Sequence, residues 1–256
     1  MSAEIWRQLA ASTPARIGLG RAGAALTTAE TLRFALAHAT ARDAVLTPFA
    51  AGEMRAGIEA LGLDVIEVAS RAASRQVYLL RPDLGRSLDQ PGRERLEAAC
   101  RGPVDVALVV GDGLSSSAVH AHAAAMVAAL QPHATLNGWS LGPVVVATQA
   151  RVALGDEIGA LLRARLVVML IGERPGLSSP DSLGLYITHA PCPGRTDGER
   201  NCISNIHAGG LGYAVAAFKA AWLMREALRR QLTGVTLKDE SDAAIPGPDD
   251  GLLTRA

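Results

Sequence analysis

Aromatic side chains make up only 4% of this 256-residue chain, and its 25 basic and 25 acidic residues cancel to a formal net charge of zero. With neither a basic field nor many stacking platforms, binding to nucleic acid or to an anionic membrane surface is not expected. Cysteine is scarce as well: Cys100, Cys192 and Cys202 form an odd set without Cys-x-x-Cys spacing. That argues against a disulfide framework and against a structural zinc site. No apolar run approaches the ~20 residues of a membrane helix. The opening MSAEIWRQLAASTPAR lacks the apolar centre of a secretory signal. A cytosolic location is therefore expected. What the chain does have is length enough for a substantial core and an apolar fraction of 49%, much of it alanine, which favours close helix packing.

The stretch around which the chain is organised runs over residues 165–210. An apolar run at 166–171 leads into Gly172-Glu173-Arg174-Pro175-Gly176, and a second β-like run covers 183–190. A loop rich in Pro, Gly, Arg and Cys then ends in Asn201-Cys202-Ile203-Ser204-Asn205-Ile206-His207. Strands that end in polar loops are how α/β domains display functional groups. Upstream, residues 104–110 form a β-branched apolar run suited to a buried parallel strand. Gly111-Asp112-Gly113 turns it into a helix near 115–130, closed by Pro132. A strand at 144–148, a helix at 154–164 and the strand at 166–171 complete a β-α-β-α-β alternation.

Before residue 100 the signals are mainly helical. Thr27 and Glu30 make a capping box for a helix at 28–41, and a further helix is expected near 52–61. Short strands are expected at 63–68 and 76–80, a turn at 81–86 and a helix at 92–99. After the long loop, 213–232 reads as an amphipathic helix. The Pro/Gly-rich tail from Thr233 reads as disordered. The fold class is thus α/β, a Rossmann-like parallel sheet flanked by helices with a smaller helical N-terminal region. The expected layout is 1–100 mostly helical, 101–238 Rossmann-like and 239–256 a disordered tail.

Several motifs need weighing before any chemistry is assigned. Gly18-Leu19-Gly20-Arg21-Ala22-Gly23 matches the letters of a dinucleotide loop, but Pro14 spoils the strand before it and the next helix starts too late. A docking arm is the better reading. Gly111–Ser117 joins a strand to a helix, so its backbone amides could receive an anion or amide oxygen. The plainer alternative, that Asp112 and the serines cap the helix, leads. His120 and His122 are two apart and point to different faces of a helix, so no protein-built metal site is expected. Cys202 and His207 could form a nucleophilic dyad only if the base reached the sulfur. A buried or ligand-lining cysteine is the preferred reading.

Gly172-Glu173-Arg174-Pro175-Gly176-Leu177 and Cys202-Ile203-Ser204-Asn205-Ile206-His207 resemble two signatures of the small subunit of ethanolamine ammonia-lyase. Four further segments match in family order: Arg81–Arg86, Asp112–Ser115, Arg151-Val152 and Asp156–Gly159. The resemblance covers most of residues 15–238. It implies a subunit that pairs with a larger barrel subunit in a hetero-oligomer and lies against one face of adenosylcobalamin at the interface. The implied reaction is the radical conversion of ethanolamine to acetaldehyde and ammonia, in which the cofactor carries the hard chemistry.

Carried over residue by residue, the family's cobalamin contacts fall on Val152, Glu173 and Cys202. None of the three is expected to be catalytic in the bond-breaking sense. Residues 1–100 would dock on the large subunit and 101–238 would contact cobalamin. Asn205–Gly210 differs by one residue from the Asp-x-His-x-x-Gly of enzymes that ligate cobalt with histidine. Asn205 supplies no carboxylate to orient His207, so the cofactor is expected to keep its own base. The resemblance also implies a cytoplasmic location and leaves packaging in a bacterial microcompartment open, although the short lead before Ala15 favours free cytosol. Two rival readings are a stand-alone enzyme using Cys202 or Asp112, and a module that carries cobalamin without belonging to a lyase.

Overall fold

The computed structural model describes residues 3–13 and 15–244. In chain order the elements are helix α1 (Ala3–Ala11), the two-residue strands β1 (Arg21–Ala22) and β2 (Ala25–Leu26), α2 (Thr28–Leu46) and α3 (Ala51–Glu59). Strand β3 (Val65–Ala69), α4 (Arg75–Leu80), α5 (Gln90–Ala99), β4 (Val104–Gly111), α6 (Ser116–Leu136) and β5 (Val144–Thr148) follow. The chain then forms α7 (Leu154–Leu161), β6 (Ala164–Gly172), β7 (Leu183–His189), β8 (Asn201–Ile206) and α8 (Tyr213–Arg230).

Strands β3 to β8 build one six-stranded sheet in the order β3-β5-β4-β6-β7-β8. Its first four strands are parallel, as the alternation of strands and helices requires. The last two are antiparallel, so the sheet is mixed. Buried runs in β4 and β6 alternate between two cores. Val106, Leu108 and Val110 face one cluster with α6 and α8, while Ala107 and Val109 face another with α7. This two-sided burial explains why both runs are continuously apolar. The connections β4-α6-β5 and β5-α7-β6 travel in opposite directions across the sheet and use opposite faces, which gives both crossovers the same hand. The carboxyl ends of β4 and β5, where these paths diverge, form the topological switch point.

Four expectations need correction. Residues 75–80 are the helix α4 and not a strand: the Ser74 hydroxyl accepts from the Val77 amide at 3.3 Å and caps it. Helix α6 runs through Pro132 to Leu136, because Leu130 and Ala134 keep one buried face in register across the proline. That packing outweighs a break worth about 3 kcal/mol. The loop ending at His207 contains the strand β8, whose alternation is hidden by a register shift opposite Leu183 and Leu185. The tail from Thr233 is ordered as far as Ala244. Leu237 and Ser241 are buried, and Lys219 Nζ meets Asp242 Oδ1 at 2.5 Å and Ser241 Oγ at 3.2 Å. Residues 245–256 lie outside the described residues.

Candidate functional site

The ends of β4 and β6 meet with almost no side chain between them. Gly113 adopts φ +58°, and a Cβ there would lie 2.2 Å from the Gly172 carbonyl oxygen. A Cβ on Gly172 would lie 2.0 Å from the Ser115 carbonyl oxygen. The Leu114 amide donates to the Gly172 carbonyl at 2.9 Å. Only glycine allows β4 and β6 to close in this way. The helix cap here is Ser115, whose hydroxyl accepts from the Ala118 amide at 3.2 Å.

Asp112 does something else. It is 1% exposed, and its Oδ1 accepts from the Ala150 amide at 2.8 Å, which clamps the end of β4 to the turn after β5. Burial pushes its pKa up to about 6, against the pull of the Ala150 amide and of Arg75, whose Nη1 lies 3.4 Å from Oδ2. Arg75 also donates to the Gly113 carbonyl at 2.7 Å. The clamped turn is strained, with Gln149 at φ +55°. Beyond it, the Arg151 guanidinium stacks 4.1 Å from the Tyr78 ring. Tyr78 in turn donates to the Ala150 carbonyl at 3.1 Å.

Val152 and Glu173 share one concavity of about 420 Å³, with Tyr78, Leu114, Arg151 and Tyr186 among its walls. Glu173 is held by its Oε2, which accepts from the Ser182 hydroxyl at 2.5 Å and the Asn205 amide at 3.3 Å. Among the described residues no group donates to its Oε1. Gly184 makes room for this carboxylate, since a Cβ there would lie 2.8 Å from Oε1. Cys202 does not line the concavity but lies beside it, paired across β7 and β8 with Tyr186.

The nucleophile reading of Cys202 has no support in the geometry. Its side chain is exposed, yet crowding by surrounding protein raises the thiol pKa. The Tyr186 hydroxyl pulls it down, and the Glu173 charge adds to the rise. A thiol kept protonated is a poor nucleophile. His207 is engaged locally. Its Nε2 lies 2.9 Å from Asn205 Oδ1, and its Nδ1 accepts from the Gly209 amide at 3.2 Å. Among the described residues, no group of three His, Cys, Asp or Glu side chains could hold a metal ion. Gly18–Gly23 lies in the approach to the β1–β2 hairpin and its turn, not in a strand–loop–helix phosphate cradle. His120 Nε2 accepts from the Ala50 amide at 3.0 Å, on a different side of α6 from His122.

A larger cleft, of about 1010 Å³, opens at the other end of the sheet, beside Asp64, Val104 and Pro143. Open α/β sheets bind ligands at the carboxyl ends of their strands, so the smaller concavity is the better candidate. Sequence reasoning missed Arg75, Tyr78, Tyr186 and the clamp role of Asp112. The Ser74 cap ahead of α4 was the available signal for the first two.

Fold and site together define an α/β protein that presents a shallow, mixed polar and apolar surface at its switch point. Residues 3–238 match the family model of the ethanolamine ammonia-lyase light chain (EutC). The chain is 59% identical over 235 residues to an ethanolamine ammonia-lyase small subunit of Bradyrhizobium diazoefficiens, covering 91% of this chain and 90% of that one. It is 59% identical over 236 residues to one from Rhodopseudomonas palustris, covering 92% and 90%. It is 53% identical over 249 residues to one from Xanthomonas campestris pv. campestris, covering 96% and 92%. The chain belongs to the ethanolamine ammonia-lyase light chain family. Among the described residues no helix is long and apolar enough to cross a membrane.

Proposed function

We propose that this chain is the small subunit of an adenosylcobalamin-dependent ethanolamine ammonia-lyase, that it grips one edge of the corrin, and that it turns over substrate only with its large subunit. The observation that carries this reading is the Glu173 carboxylate, fixed through one oxygen beside Val152 with the other oxygen open to a ligand. A corrin is a broad apolar disc fringed with amides, so it needs both a wall and an acceptor. Val152 offers methyl groups as the wall, and Glu173 Oε1 accepts from an amide N–H at the ring's fringe. Cys202, exposed and protonated, packs beyond Tyr186 as a small polarizable contact.

A drug-sized ligand fills a pocket of about 300–1,000 Å³. Adenosylcobalamin is far larger than that, so a concavity of about 420 Å³ suits a chain that holds an edge while a partner covers the rest. When bound, the cofactor supplies radical chemistry through homolysis of its cobalt–carbon bond. This chain's part is orientation. Ser182 and the Asn205 amide set the carboxylate before the ligand arrives, which reduces the ordering cost of binding. His207, with both ring nitrogens engaged locally, is left out of cobalt ligation. In the same reading, residues 1–100 dock on the large barrel subunit, residues 101–238 carry the cofactor surface, and the complex works in the cytoplasm.

The test is ammonia release from ethanolamine with adenosylcobalamin, using this chain, a cognate large subunit, and the two combined. Activity is expected only in the mixture. Glu173→Ala is expected to weaken adenosylcobalamin binding by about 10-fold or more, the usual cost of losing a hydrogen bond to a charged group. Full activity of the large subunit alone would overturn the shared-site reading.

A further inference from the structure

Residues 174–181 form a strap between β6 and β7, and Glu173 and Ser182 are its two ends. Three side chains from elsewhere hold it. Ser115 Oγ donates to the Pro180 carbonyl at 2.9 Å, and Arg16 Nη2 donates to the Leu177 carbonyl at 3.1 Å. The third is His122 on α6, an imidazole only 6% exposed. Its Nδ1 lies 2.7 Å from the hydroxyl of Tyr213, the first residue of α8. Its Nε2 lies 3.4 Å from Asp181 Oδ2 and has no hydrogen-bond partner.

An imidazole buried between two helices is not needed to fill space, since an aliphatic side chain would do so without a polar atom to desolvate. The carboxylate beside Nε2 favours the tautomer with its hydrogen there and leaves Nδ1 to accept from Tyr213. The unused donor thus lies beside Asp181 without yet bonding to it. The next residue, Ser182, donates to Glu173 at 2.5 Å, and its carbonyl accepts from the Glu173 amide at 3.0 Å. A path runs from the α6–α8 contact to the carboxylate of the proposed cofactor surface, open only at the step from Nε2 to Asp181.

We infer that His122 is a positioning residue for Glu173, acting through Asp181 and Ser182. This rests on the reading of Glu173 as a corrin contact. Its bound state draws Asp181 onto Nε2 and fixes the strap, so that the Ser182 hydroxyl and the Glu173 carboxylate keep one geometry. The residue does not touch the reacting atoms.

The experiment measures adenosylcobalamin affinity by equilibrium dialysis of the complex with its large subunit, without ethanolamine. Variants are His122→Ala, His122→Gln, Asp181→Ala and Glu173→Ala, alone and combined. His122→Ala is expected to weaken binding about 10-fold. His122→Gln, whose amide N–H can replace Nε2–H, is expected to recover most of that loss. Neither His122→Ala nor Asp181→Ala should weaken binding further once Glu173 is alanine. Asp181 is nearly half exposed, so its variant keeps the test open if the buried histidine proves necessary for folding. Normal affinity of Asp181→Ala, or losses that multiply with that of Glu173→Ala, would overturn the inference. If Glu173→Ala itself binds normally, the corrin-contact reading fails first and takes this one with it.

Discussion

Two long alanine-rich helices of this chain meet opposite fates. Helix α6 spans 21 residues and buries nine of them between the sheet and α8. Helix α2 spans 19 residues and buries only Ala44. It leaves Leu32 at 64% and Leu36 at 67% exposed, with Phe34 nearly half exposed. Composition does not separate the two. What differs is whether the chain itself supplies a second surface: α6 has β4, β6 and α8 to pack on, while α2 touches the body chiefly along α6. Apolar area left on a helix in this way marks a surface for another molecule, in keeping with a region proposed to meet the large subunit.

The contrast can be broken most forcefully inside α6. Ala123 is fully buried, so Ala123→Asp places a charge with no partner in the core. A loss of about 4 kcal/mol or more is expected, read by urea denaturation or by failure to obtain folded protein. A milder test addresses how α6 is set in place. The buried Asp112 precedes it, whereas α2 begins at Thr27, whose hydroxyl accepts from the Glu30 amide at a long 3.4 Å. The folded pKa of Asp112, about 6, lies above its unfolded value, so the fold prefers the protonated form. That contribution is fully present below pH ~4 and is lost as pH rises through about 6, a change of about 3 kcal/mol. Asp112→Asn should remove this fall, so variant and parent stabilities diverge between pH 4 and pH 7.

The smallest effect is expected on α2. Leu36→Asp should leave the stability of the isolated chain within about 0.5 kcal/mol. It should nonetheless reduce co-purification with the large subunit. A chain that unfolds on Leu36→Asp yet tolerates Ala123→Asp would reverse the comparison.

The central sheet was legible because β4, β5 and β6 are short β-branched runs that turn signals bound on both sides. Helix α4 was not, because Gln76-Val77-Tyr78-Leu79-Leu80 is a short apolar run with strand-forming Val and Tyr, and only the serine before it signals a helix. Strand β8 escaped for a related reason. Its buried Ile203 and Ile206 are three apart, and Asn205 at φ +63° absorbs the irregularity. At the site, Val152, Glu173 and Cys202 were named through a family resemblance and not through their chemistry. The structure brings the first two into one concavity and sets the third beside it. Asp112 was visible as a residue but not as a clamp. Its partner is a main-chain amide 38 residues away, and amides carry no sequence signature.

That same bond changes what the word loop means for Ala150. Its N–H lies outside any strand, yet it is held at 2.8 Å by a carboxylate shielded from water. Exchange of an amide with solvent requires its hydrogen bond to open, and here opening means exposing a buried acid as well. In hydrogen-exchange terms Ala150 is expected to be protected with the sheet, so that the turn displaying Val152 opens with the core.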